Sequence, residues 1–370
     1  MARTQILPTD PGALKAWSAK VAISATKQSF WGSKMTGPEL TAYPWVQKFD
    51  LEAQKTGTEV TVYLIKKLQG QPVEGSEKLE GKEMKMVHLT DKLNIEKMRQ
   101  GVNVGDLMDE KRVAYGIATQ ARQRLADYIA EVEDELKSMY LSGARGVGSE
   151  IIHYPTGYTG FAGNAFSAPD TDHWMFANGV AAKASLTATD KMDTAMIDRL
   201  VTKAAKYTGG QGSSHKMVPV TVEGSKHFVA ALAPECVYDL RRSIGEAGWL
   251  TAQKAAAAAQ GSKNPIFDGS LGMYNNVVLQ QHENCIKFSD YGAGSNVNAV
   301  RNLFLGANAG MVAYGVKVNE GMRYKIYPSD VDHGEEDIIV IRVVSGYKKT
   351  VYDSKDFGLI SFDCAFTAAG

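Results

Sequence analysis

DEKRVAYGIATQARQRLADYIAEVEDELKSMYLS, residues 109–142, is the stretch on which the fold turns. Val113, Ile117, Ala121, Leu125, Ile129, Val132, Leu136 and Tyr140 recur at spacings of three and four, the period of one helical face. At 1.5 Å per residue such a helix is about 50 Å long, longer than most helices of a compact domain. Asp106 and Asp109 are placed to cap its start, and Gly143 to stop it. Its latter half carries Glu131, Glu133, Asp134 and Glu135, where the helix dipole prefers cations. Two readings stay open: a basic partner surface offsets that cost, or the acids form a solvated face.

Upstream, residues 57–99 predict a long hairpin. Val60, Val62 and Leu64 alternate with Thr61, Tyr63 and Ile65, a strand pattern. The return limb, Met84 to Leu89, alternates less cleanly, and Gly70, Pro72, Gly75 and Gly81 break regular structure between the limbs. Eight basic and seven acidic residues lie along it, mostly toward the tip. A two-stranded ribbon is marginal in water, so this one needs a partner surface. Residues 1–48 read as an arm, interrupted by Pro8, Pro11, Pro38 and Pro44, with a local charge excess of +4 from six basic and two acidic residues. Trp17, Phe30, Trp31, Tyr43 and Trp45 make it too apolar for a solvated tail. It lies on its own domain or on a neighbour's.

Downstream, periodicity fails from Gly143 to Thr189, and Gly143, Gly146 and Gly148 read as a stop and a flexible connection. Asp190 to Tyr207 predicts a helix with Met192, Met196, Leu200 and Ala204 on one face. A strand at Phe228–Leu232, a helical turn at Tyr238–Arg242 and an alanine-rich helix at 245–260 follow, the last ended by Pro265. Val277–Leu279, Ile338–Val344 and Phe357–Phe362 read as strands. The class is α+β without repeats.

The 370 residues suffice for two or three core-bearing units. Lysine plus arginine equals aspartate plus glutamate at 41 each, against the basic excess of a dedicated nucleic-acid binder. A subunit that packs against many copies of itself avoids a large single-sign charge. Cys236, Cys285 and Cys364 form no CxxC pair, which speaks against a disulfide framework and for a reducing compartment. No apolar run reaches the roughly 18–20 residues of a membrane span, and MARTQILPTDPGAL shows no signal-peptide core. P-loop, GxGxxG and GxSxG patterns are missing. Ser214 beside His215 reads as a solvated turn, and no histidine pair has metal-ligand spacing. The acidic run Asp330, Asp332, Glu335, Glu336 and Asp337 lacks an EF-hand's spacing and reads as a solvated loop. Neither a catalytic residue, a cofactor site nor a metal site is expected.

Five motifs in order give a resemblance. LQGQPVEGSEKLEG (Leu68–Gly81), YDLRR (Tyr238–Arg242), NPIFDGSLGMYNNVVL (Asn264–Leu279), VRNLFLGANA (Val300–Ala309) and GYKKTVYDSKDFGLISFDCAF (Gly346–Phe366) resemble the major capsid protein family of N-four-like podophages. One departure is Asn276, where that family has a second glycine; asparagine tolerates the left-handed region better than most residues. The resemblance implies the Hong Kong 97-type phage capsid fold. It implies an N-terminal arm (1–48), an extended loop (49–105), a peripheral domain with a spine helix (106–210), an axial domain (211–329) and a return to the peripheral domain (330–370). Intersubunit contacts are expected at Lys66, Lys67, Leu68, Pro72, Val73 and Leu79 of the loop, and arm contacts at Trp17, Phe30, Trp31 and Trp45. The implied role is structural: hexamers and pentamers of an icosahedral shell around double-stranded DNA, bound without sequence specificity. Scaffolding, portal and decoration proteins are the further partners, no membrane is involved, and the subunit is made in the host cytoplasm and ends in the virion capsid. The alternatives are an encapsulin-like compartment shell of the same fold and a soluble α+β enzyme with a discontinuous site.

Reversing the charge of Lys66 and Lys67 (K66E/K67E) is expected to make assembly more salt-sensitive, read by light scattering across a salt series. Unchanged salt dependence counts against electrostatic docking of the loop.

Overall fold

In the computed structural model the apolar stripe forms one helix, Ile117–Ser142. The structure describes residues 29–37, 42–48, 59–65, 68, 72–106, 112, 116–206, 217–222, 225–242, 271–315, 324–331 and 336–366. Ahead of the long helix lie an arm helix (Phe30–Lys34), β1 (Thr36–Gly37), β2 (Trp45–Lys48), β3 (Glu59–Ile65), β4 (His88–Asn94) and β5 (Glu96–Asp106). Behind it come β6 (Trp174–Phe176), a helix at Thr194–Lys206, β7 (Val220–Val222), β8 (Ser225–Leu232) and a helix at Pro234–Arg242. Then follow β9 (Met273–Tyr274), β10 (Val277–Gln281), β11 (Ile286–Tyr291), β12 (Val297–Leu305), β13 (Gly310–Tyr314) and β14 (Tyr324–Val331). The chain closes with β15 (Glu336–Lys349), β16 (Val351–Tyr352), β17 (Lys355–Asp356) and β18 (Leu359–Ala365).

Two larger sheets are built from these strands. In the first, β15 is the axis: one edge pairs with β14 over Glu336–Val343 and with β13 over Ser345–Lys349. The opposite edge pairs with β5 over Glu336–Ser345, and β2 and β1 extend the sheet beyond β13. The second sheet runs β6-β18-β12-β8-β10-β9, with β11 also on β12 and β7 on β8. The C-terminal stretch therefore serves both sheets, β15 the first and β18 the second. At the β9–β10 turn, Asn275 and Asn276 have φ 47° and 61°, the left-handed pair that a two-residue hairpin turn needs.

The long helix lies in a core shared by both sheets. Its Leu125, Ile129, Leu136 and Met139 are buried with Tyr314, Ile326, Ile341 and Val343 of the first sheet and Ala231, Leu303 and Leu359 of the second. The opposite face of the second sheet packs under Met196, Leu200, Cys236 and Leu240 of the two shorter helices. Among the described residues no helix is long and apolar enough to cross a membrane.

Three of the four acids of the long helix are matched inside the subunit instead of forming a solvated face. Glu131 is exposed, but Glu133, Asp134 and Glu135 are buried, each supplied with donors from a different part of the chain. Glu133 receives Tyr314 Oη at 3.1 Å and Tyr324 Oη at 2.5 Å, with Lys137 Nζ 3.3 Å away. Glu135 receives the backbone N–H groups of Ile152 and His153 at 2.8 and 3.1 Å. The cation that the helix C-terminus favours comes from inside: Arg301 on β12 donates Nη1 to the Ser142 carbonyl at 2.8 Å. Its Nε and Nη2 grip Asp363 of β18 at 2.9 and 3.0 Å, and the rings of Trp174 and Phe288 lie over the guanidinium. Burial would favour losing its proton, but Asp363 outweighs burial and holds the group above its ordinary range.

Several local expectations need correction. The described helix starts at Ile117 with Gly116 as N-cap and no side-chain cap, while Asp106 ends β5; Asp109 lies outside the described residues. Gly143 does end it, at φ 69°, its N–H bonded to the Met139 carbonyl. The segment beyond is no flexible connection, because the buried Arg145 draws the carbonyls of Gly148, Ile151 and Tyr154 around its guanidinium at 2.6–3.0 Å. A Cβ on Gly146 would stand 2.4 Å from the Lys287 carbonyl. The return strand of the hairpin starts at His88 rather than Met84. Asp330, Glu336 and Asp337 sit in the β14–β15 ladder, with Asp332 and Glu335 outside the described residues, as are the expected helix at 245–260 and Ser214 and His215.

Where β15 passes the end of β4, Gly346 is required: a Cβ there would stand 2.2 Å from the Asn94 carbonyl. Gly346→Ala is expected to cost about 1–3 kcal/mol by overpacking, seen as a lower urea midpoint at unchanged slope. An unaltered midpoint would mean that the hairpin base shifts freely.

Candidate assembly surface

The hairpin of β3 and β4 pairs in one register, from Glu59 opposite Asn94 to Ile65 opposite His88. The alternation read from sequence has a structural meaning: Val60 and Val62 are buried with Leu93 against Met311 and Ala313 of β13, while Tyr63 points to solvent. The base is fastened by polar groups as well. Lys348 of β15 sits 2.5 Å from Asp91 and also donates to the Lys92 carbonyl at 2.9 Å. Asn164 accepts from the Asn94 N–H at 3.0 Å and donates Nδ2 to the Asn94 carbonyl at 2.8 Å, closing a two-bond clamp.

Beyond His88 the ladder ends and the loop projects. The Lys82 N–H reaches the Leu79 carbonyl at 2.9 Å in a turn whose third residue, Gly81, has φ 81°, the geometry that favours glycine there. Of the expected contact residues, Leu68 (55% exposed), Pro72 and Leu79 (60%) face solvent, and Val73 is half-buried. Lys66 and Lys67 lie outside the described residues. Sequence reasoning missed three more: Met84 (46%), Met86 (53%) and Val87 (40%) are also exposed. Their signal was hidden, since Met84 and Met86 on either side of Lys85 read as one face of a strand. Like Tyr63, they are large apolar side chains that the subunit's own body leaves exposed.

The arm residues sit differently. Trp31 and Trp45 are fully buried and Phe30 is half-buried, all against the same chain, so here the own-domain alternative holds; Trp17 lies outside the described residues. Asp134 of the long helix accepts Ser29 Oγ at 2.5 Å and the N–H groups of Phe30 and Trp31 at 2.6 and 3.2 Å. Trp31 Nε1 donates to Ser138 Oγ, which pairs with His282 Nε2 at 2.8 Å. Phe30 stacks on the His282 ring at 4.2 Å, and burial pushes His282 down to about 3, so it is neutral here. The three cysteines are buried and free, and among the described residues no group of His, Cys, Asp or Glu has the arrangement of a metal site.

Known proteins resemble this chain over most of its length. A family model described as phage capsid protein matches residues 6–368. The major capsid protein of Pseudomonas phage KPP25 is 24% identical over 342 residues, covering 84% of this chain and 85% of that one. Among solved structures, the capsid of Ralstonia phage GP4 superposes with a TM-score of 0.83 at 39% identity, covering all of both chains. The capsid of cyanophage Pam1 gives 0.70 at 18% identity over 93% of each chain, a likeness of fold.

The seat of the arm titrates. Burial raises the Asp134 carboxyl above its ordinary range, against the opposing pull of Lys137 and the bonds from Ser29, Phe30 and Trp31. The folded chain thus keeps a proton that the unfolded chain releases above about pH 4. The stability gained from that proton is full below this pH and is lost as the pH rises through the raised value. Asp134→Asn is expected to cost about 1.5–3 kcal/mol through the weakened arm bonds and to remove this fall, measured by thermal melts from about pH 4 to 7. A melt-versus-pH curve of unchanged shape would place the titration elsewhere.

Proposed function

The chain belongs to the phage capsid protein family, and on that footing we propose that its projecting hairpin is the arm by which one subunit grips the next. The chain is a structural major capsid protein of the Hong Kong 97-type fold, whose copies assemble into the icosahedral shell of a virion. The observation that carries the hairpin reading is the division along its length. The base is buried and clamped on its own body, while Leu68, Leu79, Met84, Met86 and Val87 project uncovered.

On this reading the extended loop, with Lys66 and Lys67 at its start and Pro72 and Val73 toward its tip, lies on a neighbouring subunit. Such a contact joins two different surfaces, and heterologous contacts give rings when the rotation between copies closes. Hexamers and pentamers are the rings proposed. Each contact is small, and a lattice that engages many at once gains avidity. The subunit acts by binding and not by catalysis. The basic excess of residues 1–48 suits sequence-independent contact with packaged double-stranded DNA. Scaffolding, portal and decoration proteins are the further partners, and assembly is placed in the host cytoplasm. The peripheral domain (106–210 with 330–370) and axial domain (211–329) remain the proposed division of the body. The compartment-shell alternative gains no specific support, since the matched family and relatives are those of phage capsids.

Deleting Leu68–Gly81 tests the reading. The expected product is a folded subunit with a native circular-dichroism spectrum that sediments slowly and forms no closed shells in electron micrographs. Normal particles from this deletion would overturn it.

A further inference from the structure

Lys349, the last residue of β15, and Asp356, the last of β17, form an ion pair inside the subunit, their side chains 1% and 2% exposed. Lys349 Nζ stands 2.8 Å from Oδ1 and 2.9 Å from Oδ2 of Asp356. Nearly equal distances centre the nitrogen on the carboxyl carbon between the oxygens, at roughly the 3–3.5 Å of a near-attack arrangement. Both partners are fixed by further bonds. The Asp356 N–H donates to Asp170 Oδ2 at 2.7 Å, and His173 Nδ1 holds that same oxygen at 2.7 Å. Lys349 Nζ also reaches the Ala168 carbonyl at 3.3 Å, and its backbone lies opposite Gly310 in the β13–β15 ladder. Two charges taken out of water are costly even when paired. Burial pushes the Lys349 amine below its ordinary range and the Asp356 carboxyl above its own, against the pull of each on the other. Both displacements favour the uncharged amine and the uncharged acid, the forms that react with each other.

We propose that the side chains of Lys349 and Asp356 condense into an isopeptide bond within the chain. The ammonium first passes one proton to the carboxylate, which leaves an amine facing a carboxylic acid. The amine lone pair attacks Cγ, an N–C bond forms and one C–O bond breaks. The departing oxygen carries away two of the ammonium's three protons as water, and the third stays on the amide nitrogen. Nothing is oxidised or reduced, and no co-reactant is needed. In bulk water such a pair resists condensation, because the amide forfeits the solvation of two charges. Here burial has already removed that solvation. Held geometry supplies the rest, since reactants fixed at this range behave as if present at about 10⁵ M or more. The place also matters. β15 belongs to the first sheet and β18 to the second, and the chain between them runs through β16 and β17. An amide from 349 to 356 spans that connection and keeps it from opening under load or heat.

Tryptic digestion of the full-length wild-type chain, unfolded first and read by mass spectrometry, tests the bond. Trypsin cuts after Lys348 and Lys355 but cannot cut after a lysine whose amine is an amide. Residues 349–355 and 356–370 are therefore expected as one branched species, lighter by one water than the two peptides together. Fragmentation of that species is expected to place the link on Lys349 and Asp356. Lys349→Arg keeps the positive charge and cannot condense, so its 356–370 peptide is expected free. Free 356–370 from the wild-type chain, with cleavage after Lys349, overturns the proposal and leaves a buried ion pair only. The wild-type digest decides the matter even where Lys349→Arg fails to fold, and it does so independently of the hairpin's role in assembly.

Discussion

Three consecutive carboxylates inside one helix impose the constraint that orders the rest of the subunit. Successive helical residues point about 100° apart, so Glu133, Asp134 and Glu135 cannot share one set of donors. Each is buried, and a buried charge without partners is costly. Three separate bodies must therefore come to the helix: Tyr314 and Tyr324 of the first sheet, Ser29 to Trp31 of the arm, and Ile152 to His153 of the loop beyond the helix. Arg301 adds a fourth attachment at the C-terminal end and ties it to the second sheet through Asp363. Apolar burial makes the helix stable; the acids decide what is placed around it.

That placement explains how one small body can carry a projecting hairpin. The hairpin meets β13 through Val60, Val62 and Leu93, and β15 through Lys348. The loop that supplies Asn164 to its base descends from the same helix end that Arg301 and Glu135 secure. The base is thus fixed on its own body before any contact is made, and a part already ordered loses less entropy on binding.

The parts read from sequence were those governed by local periodicity. The stripe from Ile117 to Tyr140 and the alternation of β3 needed only the spacing of apolar residues. The five ordered motifs supplied the architecture, and the structural likeness to phage capsids upholds it. What escaped was nonlocal. Strand β12, VNAVRNLFL, is buried on both faces and shows no alternation, and β5, EKMRQGVNVGD, is polar because its face is only partly covered. The stretch after Gly143 looked loose because its order comes from one arginine gathering carbonyls. The bond from Ser29 to Asp134 spans 105 positions, and no spacing rule reaches that far. On the candidate surface, Leu68 and Leu79 were readable from a glycine-rich motif, whereas Met84 and Met86 resembled an ordinary strand until the ladder proved to begin at His88.

The join between β4 and β5 is a single residue, Ile95. Whatever tension a neighbour places on the hairpin therefore enters the ladder between β5 and β15 at its first pair, Glu96 with Ser345. A pull along β5 loads the ten register pairs of that ladder together instead of peeling them one by one. β15 then shares the load with β14 and β13 on its far edge. The strand arrangement lets the subunit carry tension along β5 as well as tile a shell.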